Sequence, residues 1–282
     1  DPKTMVAKAW LGRYGLRHWR YRLQVDLTSR RKLPPPQHLS GATAALNMRC
    51  SHNYYHWLTE ILPRLATLQR AGVSCDHYLV DCHTPFQRAV LTTLGLRPEQ
   101  LIQPHCQLLL EADELVVPSL PSPQCMRSFG DWAAERLGCS ASSSPPRRIY
   151  VSRRKAGTRR LDNEEQLLEL LEQHHFEMHC FEDYDLPRQC QLIRNAEAVV
   201  APHGAGLANL VFARPGTQVI EIFPDGRYNP TCYPNLSRTF GLAHQIVFAQ
   251  RAPHKQILRV SLEDAALALE RALAPRRRRR AA

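Results

Sequence analysis

Ala198–Phe223, AVVAPHGAGLANLVFARPGTQVIEIF, decides how the rest of the chain is read. Ala198–Ala201 and Gln218–Phe223 are short apolar runs of the kind a buried strand needs. Between them, His203, Gly204, Ala205 and Gly206 form a small-residue loop that opens into the apolar segment Leu207–Phe212. Pro215 and Gly216 then stop the expected helix. Strand, glycine loop, helix and strand make a βαβ unit. Its loop sets free backbone N–H groups at a helix N-terminus, where the dipole also favours negative charge. A phosphate-bearing ligand, a nucleotide diphosphate, is the natural guest, although a tight turn made for packing alone uses the same residues.

The pattern repeats outward from this unit. The second half reads as strands at Arg148–Ser152, Glu177–Phe181 and Gln245–Phe248, the last closing the sheet. Helices are expected from Asp162 to about His174, over Leu186–Asn195, over Pro230–Phe240 and over Leu262–Leu273. In the first half, Ala42–Met48, His77–Val80, Leu101–Ile102 and Leu115–Val117 suit strands, and Pro85–Leu94 and Phe129–Leu137 suit helices. The strongest helix runs from Asn53 to about Ala71, with Trp57, Leu58, Ile61, Leu62, Leu65 and Leu68 at helical spacing. Ser51 or Asn53 would cap it, and Pro63 should kink it. The alternation predicts an α/β fold of two Rossmann-like layers with mostly parallel sheets. Ala141–Pro146, ASSSPP, reads as a linker between a first domain at 1–143, with 1–40 an irregular lead-in, and a second at 147–275.

Composition narrows the function classes. The 282 residues are 44% apolar, enough for a sizeable core, and no run of about 18 apolar residues exists to cross a membrane as a helix. The net charge is +11, and Arg276–Arg280 supplies five of those charges, leaving +6 for the body. That tail, 276–282, reads as a solvated disordered end, with weak contact to an anionic surface as the other reading. A basic body suits phosphate-bearing partners, but no zinc-finger spacing, RNP strand or basic heptad helix points to nucleic acid. Nine scattered cysteines, never spaced CxxC, suit reduced thiols and a cytoplasmic setting, at the membrane periphery if the tail engages lipid. The chain opens on Asp1 and reads as part of a longer sequence.

Ligands of open α/β sheets gather at the carboxyl ends of strands. Arg153, Arg154, Lys155, Arg159 and Arg160 follow one such end and suit a diphosphate, or else form a solvated basic loop. Glu221, embedded in an apolar strand, needs a partner: two ribose hydroxyls or a structural ion pair. In the first half His52, His56 and Glu60 are spaced i, i+4, i+8. They could be metal ligands, a base and its partner, or plain polar-face residues. Arg64 lies one turn beyond Glu60.

Three motifs in this order resemble glycosyltransferase family 61: NYYHWLTEILPRL from Asn53, YVSRR from Tyr150, and PHGAGLAN from Pro202 with PGTQVIEI from Pro215. The resemblance spans roughly residues 46–248. That family covers capsular-polysaccharide-type bacterial enzymes, plant xylosyl- and arabinosyltransferases, and animal N-acetylglucosaminyltransferases. It implies a GT-B architecture with its cleft between two domains, and inverting transfer from a nucleotide sugar, UDP-linked, to a hydroxyl of a glycan, in polysaccharide biosynthesis. It implies no obligatory metal and no cofactor beyond the donor as co-substrate. On the donor side it puts Arg153, Arg154, His203, Gly204, Ala205, Gly206, Asn209 and Glu221, with Glu221 on the ribose. Glu60, then His56, would be the catalytic base, with Asn53 and Arg64 on the acceptor side. The competing expectations are a nucleotide-sugar-binding protein without transfer, and a basic nucleic-acid-binding protein.

Overall fold

A computed structural model describes residues 35–48, 50–105, 108–139, 145–226, 231–251 and 257–274. Most of the lead-in, most of the ASSSPP linker and the arginine run lie outside the described residues. The chain divides into two compact units, Asp1–Ser40 with His105–Asp113, and Gly41–Pro104 with Glu114–Ala282. Within the smaller, Gln37 donates its N–H to the Leu109 carbonyl at 2.8 Å, and His38 meets Asp113 at 2.9 Å. The larger carries every residue of the candidate site described below.

The fold is α/β with mostly parallel sheets. Strands β1 (Gln37–Ala45), β2 (His77–Leu79), β3 (Leu101–Ile102) and β4 (Leu110–Val116) form a sheet of order β3-β2-β1-β4. Its β1–β2 and β2–β3 pairs are parallel. Helices α1 (Tyr54–Arg70), α2 (Pro85–Thr93) and α3 (Pro123–Arg136) belong to the same half. Helix α3 begins six residues before the expected Phe129, because Ser122 caps it and Pro123 fits the first turn, where no N–H is needed.

The second sheet has seven strands: β5 (Arg147–Val151), β6 (Arg160–Leu161), β7 (Phe176–His179), β8 (Ala196–Pro202), β9 (Gln218–Pro224), β10 (Ala243–Arg251) and β11 (Ile257–Val260), in the order β6-β11-β10-β9-β8-β5-β7. All pairs are parallel except β10–β11. The sheet thus does not close at Phe248: the antiparallel β11 extends it, and β6 adds an edge. Helices α4 (Glu164–Gln173), α5 (Leu186–Arg194), α6 (Cys232–Phe240) and α7 (Leu262–Leu273) complete the half. Asn163, not Asp162, caps α4, and its side chain is spent across the sheet on the backbone of Val260.

After β5 the chain places β6 at the far edge and β7 on the near side of β5, then returns to the other side of β5 for β8, β9 and β10 in succession. This reversal leaves a crevice at the carboxyl ends of β5 and β8, the switch point where doubly wound folds take their ligands.

Strand alternation sorts the side chains by face. Tyr150, Ala198, Val200, Ile220 and Ile222 pack with Leu167, Leu171, Ala265 and Leu269 under α4 and α7. Ile149, Val151, Val199, Ala201 and Val219 point the other way, into a core shared with Trp57, Leu58, Leu62 and Leu65 of α1 and Phe129 and Ala133 of α3. The first-half helices and the second-half sheet therefore share one core. No helix among the described residues is long and apolar enough to cross a membrane.

One contact in that core leaves no slack. A Cβ on Gly130 of α3 would overlap the Val211 carbonyl, and Phe240 stands 3.1 Å away. Gly130→Ala forces helix and backbone apart, and an overpacked site of this kind costs about 1–3 kcal/mol. Urea unfolding should show that loss; an unchanged midpoint would mean that the two elements are not held this closely.

Candidate active site

Asn53 starts the site. Its side-chain oxygen accepts the Tyr55 N–H at 2.9 Å and caps α1, a contact worth about 0.5–2 kcal/mol. The helix is not uniform: Tyr54–His56 is α-helical, Trp57–Ile61 is one π turn, and Leu62–Arg70 is α-helical again. Pro63 has no N–H to donate, and its ring would collide with the carbonyl of Thr59 in a regular helix. The wider turn, closed by the Leu62 N–H on the Trp57 carbonyl, absorbs that conflict where a kink was expected. Such π turns gather at functional sites.

His56 immediately precedes this turn and Glu60 lies within it. Their Nδ1 and Oε2 atoms lie 3.1 Å apart, with 24% and 23% of each side chain exposed. The two atoms are close but badly aligned, and neither has a hydrogen-bond partner. Arg64, a turn further, donates to the Leu46 carbonyl at 3.1 Å and leaves its Nε unmatched. Burial lowers the guanidinium pKa and the Glu60 charge partly restores it. Among the described residues no group of three or more His, Cys, Asp or Glu is placed to hold a metal ion.

Tyr54 ties this helix to the glycine loop. Its hydroxyl donates to Asn209 Oδ1 at 2.9 Å, with Gln189 Oε1 at 3.1 Å. The Asn209 amide donates to Gln189 Oε1 at 3.0 Å and to the Gly206 carbonyl at 3.1 Å, and Gln189 donates to the carbonyls of Phe181 and Tyr184. Burial pushes the Tyr54 hydroxyl up in pKa, with the hydrogen bond to Asn209 opposing. Asn209 is fully buried and all its polar atoms are used, so it is an internal tie and not a donor-contacting residue.

The loop itself is the second half of the site. Ala205–Phe212 forms a 3-10 helix rather than the expected α-helix. Among the described residues, the N–H groups of Ala205 and Gly206 meet no acceptor. Gly204 has extended backbone that any residue could adopt; it is glycine because a Cβ there would overlap the Arg153 guanidinium. Arg153 donates to the Thr158 carbonyl at 3.0 Å, and among the described residues no carboxylate pairs with it. Burial and the neighbouring Arg159 lower its pKa, and the Glu182 charge opposes them in part. Arg159 has left-handed backbone, φ 57°, and a buried Nε without a partner. The crevice between β5 and β8 is lined by Ser152, Arg153, Phe181, Glu182, Pro202 and Gly206.

The other cations of this loop are spoken for. Arg154 meets Glu164 and Glu165, each at 3.1 Å, and Glu164 also accepts from Tyr150 and Ser152 at 2.7 Å. Arg154 therefore anchors the loop to the start of α4 and does not face the crevice. Lys155 pairs with Asp183 at 2.5 Å.

Glu221 was expected to offer its carboxylate to a ribose. It is 0% exposed, and both oxygens are occupied: Oε1 by His203 Nδ1 and Oε2 by His244 Nε2 at 3.0 Å. No surface of it remains for a ligand. His244 Nδ1 lies 2.7 Å from the Ser237 hydroxyl. The His203 ring packs edge-on against Phe223 and Tyr233, and Tyr233 donates to the Gly204 carbonyl at 2.6 Å. Tyr233 meets Tyr55, and Tyr55 meets His56, so a wall of rings joins the loop to the π turn. Tyr233 and His244 carry no mark in the sequence that sets them apart, and Tyr54 and Arg159, though within the motif and the basic loop read there, carry none that predicts these contacts. Only the fold brings them here.

With this geometry in view, comparison places the chain among known proteins. Residues 54–220 match the family Glycosyltransferase 61, and the chain belongs to that family. It is similar to a beta-1,2-xylosyltransferase of Oryza sativa subsp. japonica, 35% identical over 95 residues, a stretch covering 33% of this chain and 20% of the relative.

Burial by itself would raise the Glu221 pKa, but the hydrogen bonds from His203 and His244 outweigh it and hold the carboxyl below its ordinary value. An acid depressed in the native state stabilises the fold above its unfolded value, and that contribution is lost as pH falls through the native one. Thermal unfolding followed downward from neutral pH should show a loss, starting near pH 4.3, that is larger in the wild type than in Glu221→Gln. Parallel profiles for the two proteins would remove the ionised carboxylate from this account.

Proposed function

We propose that this protein moves a sugar from a nucleotide-linked donor, UDP-linked in the first instance, to a hydroxyl of a glycan, with inversion at the anomeric carbon. The observation that carries the reading is Arg153, packed into Gly204 at the switch point and making no ion pair among the described residues. The Glu182 charge offsets it only in part, since the guanidinium pKa stays lowered; a half-buried guanidinium of this kind is costly, and a diphosphate supplies the missing charge. The free N–H groups of Ala205 and Gly206 and the second guanidinium of Arg159 favour the same ligand. When the sugar leaves, negative charge grows on the diphosphate, and these fixed positive groups face it without reorganising.

The plan we infer is that of a GT-B enzyme, with the seven-stranded layer holding the donor and the π-turn helix presenting His56, Glu60 and Arg64 to the acceptor. The rice relative, a beta-1,2-xylosyltransferase, makes xylose the first donor sugar to try, and the family resemblance makes a polysaccharide the first acceptor. Calorimetric titration with UDP tests the donor site. Arg153→Ala should weaken binding about tenfold or more, since a charge-assisted contact to phosphate is worth about 1.5–3 kcal/mol. Gly204→Ala should have a similar effect by displacing the guanidinium. Unchanged affinity in both variants would take the diphosphate away from this crevice.

A further inference from the structure

The proton positions around Glu221 are fixed by its chemistry. An ionised carboxylate carries no proton, so each nitrogen facing it must donate one. His203 therefore carries its proton on Nδ1 and His244 on Nε2. His244 Nδ1 is left as an acceptor, and the Ser237 hydroxyl fills it. At the other end of this hydrogen-bonded chain, His203 in its neutral form, the form a general base requires, keeps a lone pair on Nε2. Because the Nδ1 edge is sealed against a carboxylate of 0% exposure, the 17% of His203 that is exposed belongs to the rest of the ring.

We propose that His203 Nε2 is the general base of the transfer, with Glu221 and His244 as its positioning residues. The proposal rests on the nucleotide-sugar reading above. A lone pair at Nε2 would repel a phosphate oxygen, so His203 does not serve the diphosphate as expected from the sequence. It suits a hydroxyl proton instead. The acceptor oxygen forms its bond to the anomeric carbon, and the bond from that carbon to the diphosphate oxygen breaks with its electron pair going to the diphosphate. The hydroxyl proton passes to His203 Nε2. The imidazolium so formed sits against Glu221, which stabilises it and holds the ring in the productive tautomer. His56 and Glu60 lack this arrangement, since their facing atoms are not aligned as a hydrogen bond. The ring wall of Tyr233 and Tyr55 connects them to His203, and they fit better as groups that orient the acceptor.

Two measurements test this on the intact chain. Long-range proton–nitrogen correlation of histidine-labelled protein, at about pH 9 where imidazole is neutral, should show His203 with its proton on Nδ1, its signal assigned by its loss in His203→Gln. A proton on Nε2 overturns the proposal without touching the nucleotide reading. Release of UDP from UDP-xylose, with a glycan acceptor or with water, gives the kinetic arm. His203→Gln should lower kcat by about 10²–10⁴-fold while UDP affinity stays near the wild-type value. Glu221→Gln should lower kcat in the same direction, with KM for UDP-xylose little changed. If His203→Gln loses UDP binding and not turnover, the residue is a phosphate ligand and the proposal fails. If His56→Gln or Glu60→Gln abolishes turnover while His203→Gln does not, the base lies on the π turn. Wild-type protein that binds no UDP refutes the nucleotide reading itself, and the base with it.

Discussion

The structure depends on the hydrogen bond between Tyr54 and Asn209. One partner begins the first-half helix and the other sits in the 3-10 helix that follows the glycine loop, 155 positions along the chain. Asn209 has no exposed surface, and its amide also holds Gln189 and the Gly206 carbonyl, so the tie is part of a fully satisfied buried network. Such networks are all-or-none: complete, they specify one arrangement, and broken at any member they leave a desolvated polar group costing about 1–3 kcal/mol. Their rigidity is what sets His56 and Glu60 beside a loop to which no local sequence signal connects them. Gly130 against the Val211 carbonyl adds a second constraint on the same 3-10 helix, from α3.

Around that fixed frame the site separates two electrostatic tasks. At the crevice, positive charge is compensated only in part, by Glu182. Arg153 is turned inward against Gly204 while its neighbour Arg154 is drawn off by Glu164 and Glu165, and Lys155 by Asp183. Removing the neighbours from competition leaves Arg153 lining the switch point, with Arg159 near it on left-handed backbone. A few ångströms of loop away, negative charge is hidden instead: Glu221 is sealed under two imidazoles. The first arrangement is suited to a ligand that brings charge with it, and the second to a proton that arrives during the reaction. Strain and unpaired donors persist where function requires them.

Much of the fold was legible because it rests on local periodicity. The run from Ala198 to Phe223, the amphipathic pattern after Asn53 and the closing helix to Leu273 all appear close to where their residues place them. Boundaries slipped where the deciding residue was a cap: Ser122 started α3 early, and Asn163 displaced Asp162. The π turn could not be read, since Pro63 says only that a regular helix fails there. Of the site, the residue types were visible and their partners were not. Glu221 demanded company from sequence alone, but that His203 and His244 would provide it depends on strand order, which brings β10 beside β9. Arg153 and Arg154 are adjacent and chemically identical; only the position of Glu164 separates the free guanidinium from the anchored one. Asn209, which the resemblance put on the donor side, is fully buried and ties the first-half helix to the glycine loop.

The central claim is that the crevice between β5 and β8 receives a nucleotide diphosphate. A crystal structure of the protein with UDP tests it most directly. The diphosphate should lie within hydrogen-bonding distance of the Arg153 guanidinium and of the N–H groups of Ala205 and Gly206, with Glu221 still sealed under its two histidines. UDP seated elsewhere, with Arg153 still turned onto the Thr158 carbonyl, would contradict the account.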